Sequence, residues 1–182
     1  MLPSPLAPSG FNQTIATHLQ AAASLLEALQ EWLETRGVSV KESLQVTLMV
    51  DELVTNTILH GYPTAFVEQS GTIGCITVTA DIITLASPAL PGAGDKAIVL
   101  TLTDNALAFN PLSLPGPDLA LGLEERSIGG LGVHFVRQLA DDIAYQRHEP
   151  LGPSEFFSPN PCRENTCAQG NQLRITKRLE VH

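Results

Sequence analysis

Basic residues are scarce in this chain. Ten Lys and Arg stand against nineteen Asp and Glu, which gives a net charge of −9. Surfaces that bind DNA or RNA draw most of their affinity from clustered Lys and Arg, so this balance argues against direct nucleic-acid binding. An acidic surface favours basic protein partners instead.

Long apolar runs and cysteines are also few. No stretch of about 18 apolar residues exists to form a membrane-spanning helix, and the start shows no secretory signal, so we expect a cytoplasmic location. The three cysteines are Cys75, Cys162 and Cys167. The spacing of the last two matches no strong zinc pattern, so we predict three free thiols, with a Cys162–Cys167 bridge as the open alternative.

The overall composition is that of a folded chain, with 43% hydrophobic and 16% charged residues. A length of 182 residues suits one domain with one sizeable core. We therefore expect a single domain over residues 1–182, with a frayed Pro-rich tail at residues 1–10.

Hydrophobic periodicity divides the chain into strands and helices. Strands are predicted at residues 11–17, 73–85, 97–103, 143–147 and 172–179, and helices at residues 19–36, 39–60 and 128–141. Residues 73–85 fit either one long strand or a tight strand pair, and the segment after Pro63 is expected to be a loop. Ser39 and Glu42 resemble a capping box. This order predicts an α+β fold, a two-layer sandwich with helices on one face of a mainly antiparallel sheet.

The central predicted helix carries a polar stripe and is stopped by Gly61. At about 3.6 residues per turn, Glu52, Asn56 and His60 stack four apart along one edge of an otherwise apolar rod. Burying an unpaired carboxylate is costly, so such a stripe normally faces polar partners or a ligand cavity. The alternative is a satisfied polar pair that faces solvent.

Two later segments also carry polar or glycine-rich features. Asp104 directly follows a predicted strand, and residues 112–127 contain prolines and glycines without periodicity, which predicts a mobile loop. Gly129, Gly130 and Gly132 open the last predicted helix, where exposed backbone N–H groups can bind an anion. The alternative is a loop whose glycines only permit tight packing.

These pieces occur in a distinctive order. The segments ELVTNTILHGYP at 52–63, DNALAFNP at 104–111, GGLGVHFVRQLAD at 129–141 and GNQLRITKRL at 170–179 resemble the ATP-binding domain shared by gyrase, histidine kinases and the MutL proteins, the Bergerat fold. Within that superfamily the chain is most similar to the anti-sigma-factor serine kinases of bacteria. The Glu-x-x-x-Asn-x-x-x-His-Gly-Tyr spacing is fairly specific, whereas GGLG alone is weak. No P-loop motif G-x-x-x-x-G-K-[ST] occurs.

The resemblance implies a role for residues in each segment. Asn56 would ligate a Mg²⁺ that bridges the ATP phosphates, and Glu52 would be the general base for the incoming hydroxyl. Asp104 would accept a hydrogen bond from the adenine exocyclic amine, with Thr176 supporting that contact. The other implied nucleotide-binding residues are Ala108, Arg126, Gly130, Leu131, Gly132 and Val133. An amide oxygen one turn from a carboxylate agrees with the oxygen ligands that Mg²⁺ prefers.

The chain departs from the family pattern after Asp104. Where the family usually has glycine and often a second small flexible residue, this chain has Ala106 and Ala108. We expect the two added methyl groups to narrow the adenine pocket. The insertions at residues 86–95 and 149–170 are longer than the family pattern predicts, and the sequence assigns them no role.

The function implied by the resemblance is an ATP-dependent serine kinase that uses Mg²⁺, binds a sigma factor and phosphorylates an anti-anti-sigma protein of the STAS type. One alternative is a non-catalytic module that binds a regulator and holds ATP as a structural ligand or not at all. Ala106 and Ala108 favour that alternative, and Glu52 and Asn56 disfavour it. A sensor histidine kinase fragment fits least, because no upstream helix carries a phosphoacceptor His. The sequence leaves a homodimer undecided.

Overall fold

The computed structural model describes residues 10–70, 73–85, 95–113, 131–148 and 170–180. The strands in these ranges are β1 (Phe11–Ala16), β2 (Cys75–Thr84), β3 (Lys96–Asp104), β4 (Asp142–His148) and β5 (Gly170–Arg178). The helices are α1 (Leu19–Thr35), α2 (Val40–His60), α3 (Thr64–Ser70) and α4 (Leu131–Leu139). A short 3₁₀ turn covers Pro111–Ser113.

The strands form one sheet in the order β1-β2-β3-β5-β4. All four pairings are antiparallel, in agreement with the predicted mainly antiparallel sheet. Because β5 lies between β3 and β4, the end of β3 meets the start of β5, and Asp104 pairs with Asn171. On its other side, Asn171 pairs with Arg147 of β4. The register therefore brings polar residues from three strands together at one end of the sheet.

The core lies between the helices and one face of this sheet. Alternate strand residues point into it, and the register sets Val78 opposite Leu102 and Leu102 opposite Leu173. The helices contribute their apolar stripes, whose buried members on α1 and α2 are Ala22, Leu25, Leu29, Leu33, Val46, Met49, Val50, Leu53 and Val54. The predicted α+β architecture is confirmed. None of the described helices is long and apolar enough to cross a membrane.

The central helix α2 begins with the predicted capping box. The Ser39 hydroxyl accepts the backbone N–H of Glu42, and the Glu42 carboxylate accepts the backbone N–H of Ser39. The other oxygen of Glu42 accepts the backbone N–H of Glu180, shortly after β5. One buried carboxylate thus joins the start of α2 to the end of a central strand. The helix ends at His60, with Gly61 as its C-cap, as predicted.

Two predictions about the region that follows α2 are wrong. The segment after Pro63 contains α3 rather than a loop; Val67 donates to the Pro63 carbonyl, and a proline suits a helix start because no N–H is needed there. Cys75 is disulfide-bonded rather than a free thiol. Residues 73–85, which fitted either one strand or a pair, contain the single strand β2.

Other predictions lie outside the described residues. They concern residues 1–9, most of the two insertions (residues 86–94 and 149–169), most of the predicted mobile loop (residues 114–127) and the predicted helix start at residues 128–130. Cys162 and Cys167 lie in the second of these insertions, outside the described residues.

We expect the Glu42→Gln substitution to lower the free energy of unfolding by about 1 kcal/mol at neutral pH, because the cap and the link to Glu180 lose their charge. Burial acts to raise the pKa of Glu42, but hydrogen bonds from Ser39 and Glu180 outweigh it and lower the pKa below its ordinary value of 4.5. The contribution is therefore present above 4.5 and lost as pH falls through the lowered pKa.

Urea denaturation of both proteins across this pH range measures the effect. The exposed Glu31 of α1, changed to Gln, is the matched control and should leave stability unchanged. Equal stability of wild type and Glu42→Gln at neutral pH would contradict the assignment.

Candidate functional site

The carboxylate of Glu52 lies against the first turn of α4. A Cβ built on Gly132 would lie 2.9 Å from Cδ of Glu52 and closer still to Oε2. Real Cβ atoms do not approach that closely, so any side chain at position 132 would displace the carboxylate. The structure thus brings two predicted site residues together, and the close approach gives a physical reason for the glycine.

Asn56 is one helical turn beyond Glu52, on the same stripe of α2. Both side chains are half-buried. Within the described part of the chain, no hydrogen bond joins them to each other or to another group. The alternative of a satisfied polar pair is therefore not observed there, and both side chains remain available to a ligand.

Asp104 ends β3 on the sheet face that carries the core, two residues after Leu102. Its side chain is buried, at 8% exposure. Oδ1 accepts the backbone N–H of Ala106 at 3.0 Å and the Nδ2 of Asn171 at 2.8 Å, whereas Oδ2 accepts nothing from the described residues. Burial raises the pKa of Asp104 above its ordinary value of 3.8, and these hydrogen bonds oppose the rise only in part. The site therefore holds a buried carboxyl group with one oxygen available.

Asn171, the β5 residue beside Asp104, organises the loop that follows β3. Its Nδ2 donates to Oδ1 of Asp104 and to the Leu107 carbonyl, both at 2.8 Å. Its Oδ1 accepts from three donors, which are the Tyr145 hydroxyl, Nη1 of Arg147 and the backbone N–H of Phe109. Each such bond contributes about 1 kcal/mol, and leaving a buried group unpaired costs more. One side chain thus fixes both Asp104 and its loop.

The side-chain amide of Asn105, the residue after Asp104, also fixes the backbone at this end of β3. The Oδ1 of Asn105 accepts the backbone N–H of Cys75 at 2.9 Å and lies 2.8 Å from the Tyr62 hydroxyl. Its Nδ2 donates to the Ile73 carbonyl at 2.9 Å. The segment between α2 and β2 is thereby joined to the end of β3. Asp104 therefore has two neighbours that hydrogen bonds fix in position, Asn171 on β5 and Asn105 next in the chain.

The two departures from glycine differ in their surroundings. Ala106 is buried, and its Cβ lies next to Gly61, where a built Cβ would be 2.8 Å away. The prediction that this methyl narrows an adenine pocket is therefore wrong for Ala106, because it fills a contact with the end of α2. Ala108 is exposed.

The remaining predicted residues are placed as follows. Thr176 pairs with Val99, five residues along β5 from Asn171, and alternation puts it on the opposite sheet face. The prediction that Thr176 supports the Asp104 contact is therefore wrong. Val133 is buried, and Leu131 is the first residue of α4. Arg126 and Gly130 lie outside the described residues.

Asn171 and Arg147 were not predicted as site residues. The sequence signal for Asn171 is its place, with Gly170, at the start of the last strand. An antiparallel strand that follows β3 in the sheet must begin where β3 ends, so this polar residue falls beside Asp104. The last strand was predicted to begin at residue 172, so Asn171 fell just outside it, whereas β5 begins at Gly170.

Helix α2 orders the site along its axis. Its C-terminal end contacts the loop after β3 (residues 105–110, here called the Asp104 loop), because the Gly61 carbonyl accepts the backbone N–H of Leu107 at 3.1 Å. From this end toward the N-terminus of α2, Asn56 comes next, and Glu52, beside Gly132, comes last. At 1.5 Å per residue, Gly61 and Glu52 are separated by about 13 Å. Three groups therefore lie in a line that suits an extended nucleotide. They are the Asp104 carboxylate, which can accept from a base, the Asn56 amide oxygen, and the Glu52 carboxylate beside the start of α4.

We expect the Asp104→Asn substitution to leave the free energy of unfolding at neutral pH unchanged or to raise it. Asn keeps an oxygen for Ala106 and Asn171 and removes a buried charge. Because the folded pKa of Asp104 is raised, wild-type stability falls as pH rises from 3.8 through that pKa, and the variant lacks this fall.

Denaturant unfolding at several pH values measures this difference. The exposed Asp142, changed to Asn, serves as the control for loss of one charge. A large destabilisation of Asp104→Asn at neutral pH would mean that the fold itself needs the charge.

Comparison with known families agrees with this geometry. Residues 15–153, most of the chain, match the model of the histidine kinase-like ATPase domain. That range contains Glu52, Asn56, Asp104 and Gly132. No curated protein is similar enough to this chain to give a match. The chain therefore belongs to the histidine kinase-like ATPase domain family, whose domain binds ATP.

Proposed function

We propose that the protein is an ATP-dependent serine kinase of the anti-sigma-factor type, which binds a sigma factor and phosphorylates an anti-anti-sigma protein. The observation that supports this most is the order of groups along α2. The Asp104 loop contacts its end, Asn56 follows, and Glu52 lies against Gly132 about 13 Å from Gly61. Adenine, phosphates and the attacked phosphorus would meet these groups in the same order.

The residues at the Asp104 end fit adenine. Oδ2 of Asp104 has no hydrogen bond from the described residues, while Oδ1 is fixed by two. An exocyclic amine donates to such an oxygen, and a charge-assisted bond of this kind contributes about 1.5–3 kcal/mol. Guanine carries a carbonyl at that position and would be rejected.

The residues around Asn56 fit a shared magnesium site. Among the described residues, no three His, Cys, Asp or Glu side chains cluster closely enough to hold a metal. Mg²⁺ commonly takes one or two protein oxygens and completes its shell with phosphates and water. Asn56 would supply the protein oxygen, and the backbone N–H groups at the start of α4 would bind phosphate oxygens.

Glu52 would act as general base on the incoming serine. Its carboxylate accepts the hydroxyl proton as the serine oxygen bonds to the γ-phosphorus. The bond from that phosphorus to the oxygen bridging to the β-phosphate breaks, and ADP leaves with that electron pair. The carboxylate lies beside Gly132 at the start of α4, where phosphates would also bind.

The alternative, a non-catalytic module with a degenerate ATP site, has less support. Ala106 and Ala108 were the reason to consider this alternative. The Ala106 methyl, however, is buried against Gly61 rather than exposed to a ligand. The protein partners stay predictions, as does a homodimer. The net charge of −9 favours basic surfaces on those partners.

The test is transfer of labelled phosphate from Mg·ATP to candidate anti-anti-sigma proteins of the same genome. We expect Glu52→Gln to lower the transfer rate by about 10²–10⁴ and to change ATP affinity only a few-fold, because a general base acts mainly in the transition state. Asp51→Asn is the matched control, because this neighbouring residue is exposed and its carboxylate accepts a hydrogen bond from the Thr55 hydroxyl. Equal loss in both variants, or no transfer by wild type to any candidate, would contradict the kinase proposal.

A separate titration tests the role of Asn56. Asn56→Ala should weaken binding of Mg·ATP far more than binding of ATP without Mg²⁺, because the proposed contact is to the metal. Thr55→Ala, at the neighbouring position, should change neither affinity appreciably. If Asn56→Ala weakens both forms of the nucleotide alike, the residue supports the fold and not the metal.

A further inference from the structure

We propose that Gly61 and Ala106 form a matched pair that sets the spacing between the two ends of the nucleotide site. This inference rests on the proposed ATP site and adds a positioning role for two residues within it. Gly61 belongs to the helix that carries Asn56 and Glu52, whereas Ala106 belongs to the loop that carries Asp104. Their contact is where these two halves meet.

Space, and not backbone conformation, is what position 61 requires. Gly61 has φ −77° and ψ −19°, a right-handed conformation that any residue adopts. A Cβ there would lie 2.8 Å from the Cβ of Ala106 and 2.6 Å from the Thr57 carbonyl oxygen. The missing side chain at 61 therefore makes room for the methyl at 106.

Ala106 has little freedom to move away from that contact. Its backbone N–H donates to Oδ1 of Asp104 at 3.0 Å, and its carbonyl accepts from Nη1 of Arg147 at 2.9 Å. The residue is 1% exposed. Any group that displaces the Ala106 methyl also displaces Asp104, because a hydrogen bond connects the two residues.

The next residue adds a second link between the same halves. The Leu107 N–H donates to the Gly61 carbonyl at 3.1 Å, so the loop cannot separate from the helix without losing this bond. A larger pair at 61 and 106 would thus move Asp104 relative to Asn56. The full loss of affinity would be seen only with a ligand that contacts both Asp104 and Asn56, such as Mg·ATP.

The experiment is calorimetric titration of Mg·ATP against Gly61→Ala, Ala106→Gly and the double variant. We expect Gly61→Ala to weaken affinity about tenfold, as overpacking does. Ala106→Gly alone should weaken it about threefold through the lost methyl contact. The double variant should bind better than Gly61→Ala but less well than wild type, since the Thr57 carbonyl still opposes a Cβ. Ala23→Gly, at an exposed alanine of α1, is the control for loss of a methyl group and should give no rescue of Gly61→Ala.

Partial ligands separate a positioning role from general damage. Adenosine reaches only the Asp104 end and Mg·tripolyphosphate only the Asn56 end, so ligand-observed NMR should show both binding Gly61→Ala nearly as wild type does. Equal loss for all three ligands, no rescue by Ala106→Gly, or equal rescue by Ala23→Gly would overturn the inference. If Gly61→Ala does not fold, unchanged Mg·ATP affinity in Ala106→Gly would overturn it. Absence of ATP binding by wild type would overturn the proposed function itself.

Discussion

The hydrogen bond between Asp104 and Asn171 is the constraint on which the site depends. It joins the end of β3 to the start of β5, and through Asn171 it reaches Tyr145 and Arg147 of β4. The backbones approach so closely here that a Cβ on Gly170 would lie 2.8 Å from the Asp104 carbonyl carbon, and Gly170 has φ 138°, which favours glycine. Three strands must therefore be in register before Asp104 can present an oxygen to a ligand.

The same helix that completes the core also aligns the site with this point. Val46, Val50 and Val54 bury one side of α2, and the buried Glu42 fixes its start to the end of β5. Glu52 and Asn56 are half-buried on another side of the same rod. Because the apolar side determines how the helix packs, it also fixes the positions of Glu52 and Asn56. Stability of the core and geometry of the site are thus set by one element.

Much of this arrangement was predictable from local patterns. The capping box, the apolar stripes, the polar stripe of α2 and the position of Asp104 at a strand end all follow from residues close in sequence. What local patterns do not contain is the register between strands. The antiparallel register of β3 and β5 decides that Asn171, and not Thr176, lies beside Asp104. The Gly61–Ala106 contact was missed for the same reason, since it joins distant parts of the chain.

The buried carboxyl group is also the strongest sign that this end of the sheet serves a ligand. Burial raises the pKa of Asp104, so its charge costs stability at neutral pH. The two hydrogen bonds to Oδ1 need only an oxygen, which an uncharged amide at position 104 would also supply. Among the described residues, no hydrogen bond of the fold uses the second oxygen. A ligand that donates a hydrogen bond to Oδ2 would account for the second oxygen. The exocyclic amine of adenine is the donor we propose, because the chain belongs to a family whose domain binds ATP.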